Sequence, residues 1–175
     1  MKALVVYESM YGNTAVVAEA VARSLRAHDL DVTAGPVTRI GPVDVVGVGL
    51  LVLGGPTHAH GMSRPATRQA AANDEKNVYP DPTVSPGLRD WMGQLPSGTE
   101  RLAAAFDTRI DKPAVLTGSA AKGIAKRLER LGYRLVAPPM SFFVSTENHL
   151  IDGEIDNAAA WADELATRVG AGARA

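Results

Sequence analysis

The chain has 175 residues, 46% of them hydrophobic, and contains no cysteine. That length points to one domain with a sizeable core, the apolar content excludes disorder as the main state, and the missing thiols exclude a disulfide scaffold, a thiolate metal site, an iron–sulfur cluster and a cysteine nucleophile. Eighteen Lys and Arg against nineteen Asp and Glu give a net charge of −1, so the total charge implies no polyelectrolyte partner. No apolar run approaches the roughly 20 residues of a membrane helix, and no small-residue cleavage site follows Met1-Lys2, so a cytoplasmic domain is expected.

Apolar runs alternate with helix-period stretches along the chain. Lys2–Tyr7 is a short β-branched run, suited to a strand buried on both faces. Over Asn13–His28, Val17, Val21 and Leu25 recur every four residues and mark the buried face of an amphipathic helix. Asp31–Val37 reads as a weaker strand. Val45–Leu53 carries the strongest apolar run and ends at Gly54-Gly55. Two short helices are expected around Arg64–Gln69 and Pro86–Gln94. Between them, the polar stretch Asn73–Pro86 carries three prolines and reads as a mobile surface excursion. Leu102–Phe106 is a fourth strand. The helix over Ser119–Leu131 buries Ile124, Leu128 and Leu131 and stops at Gly132. Tyr133–Ala137 is a fifth strand, resuming at Phe142–Val144 after Pro138-Pro139, and a last helix covers Ile155–Val169. One domain is expected over residues 1–170, with a frayed tail at 171–175. The alternation predicts an α/β fold of three layers, a parallel sheet with helices on both faces and its ligand loops along the edge where the strands end.

The first such loop, Glu8-Ser9-Met10-Tyr11-Gly12-Asn13-Thr14, opens a helix. A helix N-terminus leaves about four N–H groups unpaired and carries roughly half a positive charge. Ser9 and Thr14 add hydroxyls, Asn13 adds an amide, and Gly12 lets the backbone curl. The set suits a phosphate; it equally suits a helix cap with no ligand. No lysine lies in the loop, so it is no nucleotide-hydrolysing P-loop, and no dinucleotide fingerprint follows.

Ser9-Met10-Tyr11-Gly12-Asn13-Thr14 resembles the FMN-phosphate loop of the flavodoxin family, and Gly54-Gly55-Pro56-Thr57 resembles the family's second loop, shared with its quinone-reductase branch. The resemblance runs through nearly all of the chain. It implies a five-stranded sheet in the order 2-1-3-4-5 with one non-covalent FMN at the switch point. The phosphate would sit on Ser9, Met10, Tyr11, Gly12, Asn13 and Thr14. The ring would lie between Pro56, Thr57, His58, His60 and Gly61 on one side and Asp107, Thr108 and Arg109 on the other. In the resembling carriers aromatic residues of these loops sandwich the flavin. Here His58 and His60 replace one, and no tyrosine stands in the Asp107-Thr108-Arg109 loop, since Tyr7, Tyr11, Tyr79 and Tyr133 lie elsewhere. His60 is expected to stack on the ring or rim it. Arg109 either stabilises the reduced flavin anion, favouring two-electron chemistry, or pairs with Asp107 or Asp111 as a surface bridge. No metal site is expected of His58 and His60, because His28 and His149 lie in distant segments.

The resemblance therefore implies an FMN-binding protein of electron transfer, with a redox protein or a small-molecule acceptor as partner. Two alternatives are an FMN-dependent NAD(P)H:quinone-type oxidoreductase and a flavin-free binding or regulatory module. No side chain need act as catalytic acid or base. Neither nucleic acid nor membrane is expected as a partner. Charge is uneven: Lys122, Lys126, Arg127, Arg130 and Arg134 face only Glu129 across Ser119–Arg134, whereas Glu147–Glu164 is wholly acidic. Both runs read as solvated helix faces. Glu147-Asn148-His149 reads as a polar loop without assigned chemistry.

Overall fold

Strands whose residues are apolar at successive positions need cover on both faces. Lys2–Tyr7 (β1), Leu50–His58 (β3) and Leu102–Ile110 (β5) are of this kind, and each holds an unbroken run of five or six buried residues. They form the centre of the sheet in a computed structural model that describes residues 1–58, 60–99 and 101–172. Asp31–Pro36 (β2) alternates in burial and takes one edge. At the other edge β5 pairs first with Arg134–Leu135 (β6) and then with Met140–Val144 (β7). The principal order is β2-β1-β3-β5-β6, with all neighbours parallel. The expected 2-1-3-4-5 order is thus present. Its fifth position is split into two short strands around Pro138-Pro139, where proline has no N–H to give the ladder. A two-residue strand, Gly61–Met62 (β4), folds back antiparallel on the end of β3, bringing the sheet to seven strands.

Helices Asn13–Ala27 (α1) and Glu154–Gly172 (α6) cover one face. Their Val17, Val21, Leu25, Trp161 and Leu165 pack on Val5, Val52 and Phe106. Phe106, Phe142 and Trp161 meet edge to face with centroids 5.9–6.0 Å apart, a favoured aromatic geometry. Gly54 is required here, since a Cβ would stand 2.0 Å from the Phe106 ring. The opposite face is covered by Leu88–Met92 (α3) and Ala120–Arg130 (α5), through Trp91, Met92, Ile124 and Leu128 against Leu51 and Leu53. Helices Pro65–Ala72 (α2) and Ala114–Thr117 (α4) flank this layer. Among the described residues, no helix is long and apolar enough to cross a membrane.

Several boundaries differ from expectation, and four of them bear on the site or the chain end. The stretch from Val45 does not start the third strand: Pro42–Val45 is a 3-10 turn, and the ladder begins at Leu50. The third and fourth strands run on to His58 and Ile110. Their ladder continues through Gly55 opposite Asp107 and Pro56 opposite Thr108, so these expected loops are strand ends. The last helix reaches Gly172, taking in part of the expected tail; residues 173–175 lie outside the described residues.

A buried polar network anchors the α2–α3 side to the sheet. Arg68, 1% exposed, donates to the Val84 carbonyl at 2.7 Å, to Ser63 Oγ at 3.2 Å and to Asp90 Oδ2 at 3.0 Å. Glu8, equally buried at the end of β1, accepts from the Leu88 N–H at 2.7 Å through Oε2. Its Oε1 has no partner among the described residues. Burial pushes the Glu8 carboxyl above its ordinary pKa near 4.5, against the pull of Ser63, the Leu88 N–H and Arg68. The native state then holds a proton that the unfolded state has released. Stability contributed by the protonated form falls as pH rises from about 4.5 through the folded value. In urea melts across this window, Glu8→Gln is expected to lose less stability with rising pH than the parent chain. Parallel curves for the two would refute this assignment.

Candidate functional site

The loop after β1 enters α1 through Gly12, whose φ of 88° is left-handed and which offers no capping side chain of its own. The loop is stapled from within. Ser9 Oγ accepts from the Ala15 N–H at 3.3 Å, the Ser9 N–H donates to Thr83 Oγ1 at 3.2 Å, and the Thr83 N–H donates to the Ser9 carbonyl at 2.8 Å. The next five N–H groups, Met10 through Thr14, have no acceptor among the described residues. Consecutive free N–H groups at a helix N-terminus present partial positive charge to an anion.

The outer side of the loop is held by the excursion 73–86. The Tyr11 hydroxyl donates to Asp74 Oδ2 at 2.9 Å, and Asn77 Nδ2 donates to the Met10 carbonyl at 3.0 Å. The Tyr79 ring lies on Gly12, where a Cβ would come within 2.9 Å of it. A stretch expected to be mobile is therefore hydrogen-bonded to the loop at Asp74, Asn77 and Thr83. Its Tyr79 backs the loop.

Beside the loop lies a cleft of about 280 Å³. Met10, Tyr11, Asn13 and Thr14 line one end; Pro56, Thr57 and His58 form a wall, with Thr108 and Arg109 beside them. Nine of the expected site residues are thus brought together. Ile110, Val144 and Asn148 complete the lining and were not singled out from sequence. The Thr14 and Thr108 hydroxyls meet at 2.7 Å. Asn13 spends its amide on the Asn148 carbonyl at 2.8 Å, which ties the turn after β7 to the loop. Asn148 itself has a φ of 61°, a conformation asparagine tolerates. A polar turn with asparagine directly after the last strand was the signal available for it. Burial lowers the His58 pKa, so its imidazole is neutral at pH 7.

The remaining expected residues lie around the cleft. Ser9 and Gly12 form the loop's interior. Asp107 is fully buried on the opposite side of β5, because side chains alternate along a strand. Its Oδ2 accepts from Thr57 Oγ1 at 2.9 Å, Ser119 Oγ at 2.8 Å and the Ala121 N–H at 2.9 Å. Thr57 Oγ1 in turn accepts from the Ala120 N–H at 2.8 Å. Together they fasten the start of α5. His60 and Gly61 line a groove against α5; His60, exposed with a φ of 72°, also lines a depression with Thr57, Arg109 and Ile110 of the cleft.

Arg109 pairs with neither Asp107 nor Asp111. Its guanidinium stands 4.7 Å from the Phe143 ring centroid and donates to the Lys112 carbonyl at 2.5 Å and Thr117 Oγ1 at 3.2 Å. Its Nε is buried without a partner among the described residues. No carboxylate among the described residues neutralises it, so a held cation lines the cleft.

The flavodoxin family model matches residues 5–85, a span holding both the Ser9–Thr14 loop and Gly54–Thr57. No curated protein matches the chain significantly. Solved structures of the same fold include a flavodoxin from the Archaea, 18% identical with a TM-score of 0.69, covering 97% of this chain and 99% of that one. A cysteine-to-serine mutant of flavodoxin from Pseudomonas aeruginosa is 17% identical with a TM-score of 0.70, with coverage of 97% and 99%. Rubredoxin oxygen:oxidoreductase from Desulfovibrio gigas is 17% identical with a TM-score of 0.66; the match covers 99% of this chain but 37% of that longer one.

Gly12→Ala is expected to cost about 1–2 kcal/mol through left-handed strain and the Tyr79 contact. Tyr79→Ala in the same chain relieves only the contact. Chemical denaturation of the two variants and their combination measures both parts, and additive losses would mean that Tyr79 does not press on Gly12.

Proposed function

We propose that this chain, a flavodoxin-like protein, holds FMN in the cleft and works in electron transfer. The observation that carries the reading is the row of five N–H groups, Met10 to Thr14, that have no acceptor among the described residues at the start of α1. A phosphate bearing about two negative charges answers that row, and charge-assisted hydrogen bonds of this kind are worth about 1.5–3 kcal/mol each. The phosphate end would rest on Ser9–Thr14. The ring end would lie along Pro56, Thr57 and His58 and against Thr108, Arg109 and Ile110, within the cleft described above. Bound FMN supplies the redox chemistry; the chain supplies grip, orientation and charge.

Each residue then has a defined task. The staple of Ser9 with Thr83 keeps the loop open for the phosphate, and the Thr14–Thr108 hydroxyl pair joins the loop to the sheet. Arg109, fixed by Phe143, Thr117 and the Lys112 carbonyl, offers positive charge where the ring takes up negative charge on reduction. His58, neutral at pH 7, adds none. Tyr11 is the one aromatic side chain of the cleft lining among the described residues. Such an uncovered ring also supports a second reading, an FMN-dependent NAD(P)H:quinone-type oxidoreductase. NADPH oxidation with a quinone acceptor separates it from a carrier.

FMN is expected to lose its fluorescence on titration with the protein at one equivalent, with riboflavin binding at least about 100-fold more weakly because it has no phosphate. Equal affinity for the two would remove the phosphate loop from the reading, and no quenching by FMN would remove the cofactor. Arg109→Ala is expected to lower the two-electron midpoint potential of bound flavin by tens of millivolts, since about 30 mV corresponds to 1.4 kcal/mol for two electrons. Spectroelectrochemistry checks it, and an unchanged potential would leave Arg109 a structural role only.

A further inference from the structure

The ring end of the cleft opens onto a continuous surface that the cofactor does not use. Thr57, Arg109 and Ile110 line both the cleft and a shallower depression of about 210 Å³ with His60, Leu116 and Thr117. His60 also lines the next feature, an open groove of about 530 Å³ between β4, α3 and α5. The three depressions are therefore contiguous, with His60 at the junction of the last two.

The groove is strongly cationic. Arg89, Lys126, Arg127 and Arg130 line it, and none forms an ion pair among the described residues. Arg127 and Arg130 lie in the last turn of α5, where cations complement the helix dipole. Arg89 comes from α3 and is held at the wall by the Met62 carbonyl at 3.2 Å, so the charge is not a helix-end effect alone. The middle depression is apolar at its rim. Leu116 is 63% exposed, its neighbour Val115 87% and Ile110 37%. An exposed apolar patch flanked by charge marks a protein contact surface.

Resting on the FMN reading, we propose that this face docks an acidic one-electron carrier protein and brings its redox centre to the ring end of the cleft. The partner's carboxylates would answer Arg89, Lys126, Arg127 and Arg130, while an apolar spot beside its centre would cover Leu116 and Val115. One electron leaves the reduced centre, which is oxidised by one, and enters the flavin, which is reduced by one. A small polyphosphate fits the observations less well. Arg89, Lys126 and Arg130 are exposed, no buried donor among the described residues converges on one point in the groove, and a small anion would leave the apolar rim uncovered. Charge spread over an open face steers an encounter with a whole protein.

The test uses a reduced plant-type ferredoxin as the acidic probe and the double variant Lys126→Glu, Arg130→Glu, both outside the cleft lining. With FMN-loaded protein in anaerobic stopped flow, the rate of flavin reduction by ferredoxin is expected to fall about tenfold or more from low to high salt. At low salt the double variant should be slower by a similar factor. Flavin affinity and reduction by dithionite should be unchanged in the variant. Titration calorimetry of oxidised ferredoxin into the chain without flavin should show low-salt binding that the variant loses. This arm reads the docking face even where the FMN titration fails, so the two readings fall separately. The proposal is overturned if ferredoxin neither binds nor reduces the flavin, if rate and binding ignore both salt and the charge reversal, or if the groove instead saturates with inorganic pyrophosphate and ferredoxin does not compete.

Discussion

The parallel ladder between β3 and β5 is the constraint from which the site follows. It does not stop where the core stops. Gly54 meets the Phe106 ring, and the ladder then carries Gly55 and Pro56 alongside Asp107 and Thr108. Strand alternation sorts the side chains that follow. Asp107 points to α5 and accepts two hydrogen bonds at its start and one from Thr57 of β3, while Thr108 points to α1 and meets Thr14. One stretch of strand thus fixes the first turns of helices on both faces of the sheet. The cleft between them is a consequence of that registry, and its walls have the rigidity of sheet.

This explains what the sequence could and could not reveal. Element order was legible because β-branched runs and four-residue spacings each respond to local burial. The sheet order came from the family resemblance, and the structure has it. Strand length was not legible past Gly54 and Phe106. Gly-Gly-Pro-Thr-His and Asp-Thr-Arg look like loops by composition, and their extended form is imposed by pairing with distant strands. The same limit hid Ile110, Val144 and Asn148, which enter the cleft only because β5 and β7 run on in register. Asp107 was named for the cleft because it stands beside residues that line it. A one-residue step along a strand turns a side chain to the other face, and the left-handed backbone of His60, with the reversal into β4, sets that residue between the cleft's Thr57, Arg109 and Ile110 and the groove against α5. The excursion misread as mobile shows a different limit. Its prolines and polar residues do signal irregular backbone, yet irregular backbone can be tightly held when Asp74, Asn77 and Thr83 find acceptors and donors in one neighbouring loop.

The loop itself rests on a division of labour among polar groups. Its side chains are largely committed to the protein: Ser9 to Ala15, Tyr11 to Asp74, Asn13 to Asn148, Thr14 to Thr108. Its backbone N–H groups from Met10 on are not. A serine or aspartate cap in place of Gly12 could have claimed the Thr14 N–H. Glycine there leaves the N–H row unclaimed while the side-chain bonds hold the loop's shape. Preorganisation of this kind lowers the ordering cost that an anion would otherwise meet on binding.

The same logic of uncommitted charge separates the cationic residues of the chain. Arg68 is buried and fully engaged, so it acts on stability. Arg109 is engaged through neutral acceptors and an aromatic face, which fix its position without cancelling its charge. Arg89, Lys126, Arg127 and Arg130 have no carboxylate partner among the described residues and gather on one open face. The net charge of −1 balances eighteen Lys and Arg against nineteen Asp and Glu over the whole chain, and that balance conceals the separation between these cations and the acidic run in and before α6. Fields at a contact surface are set by what lies within about 10 Å at ordinary ionic strength. For this chain the local sign beside the cleft is positive, whereas the overall charge is −1.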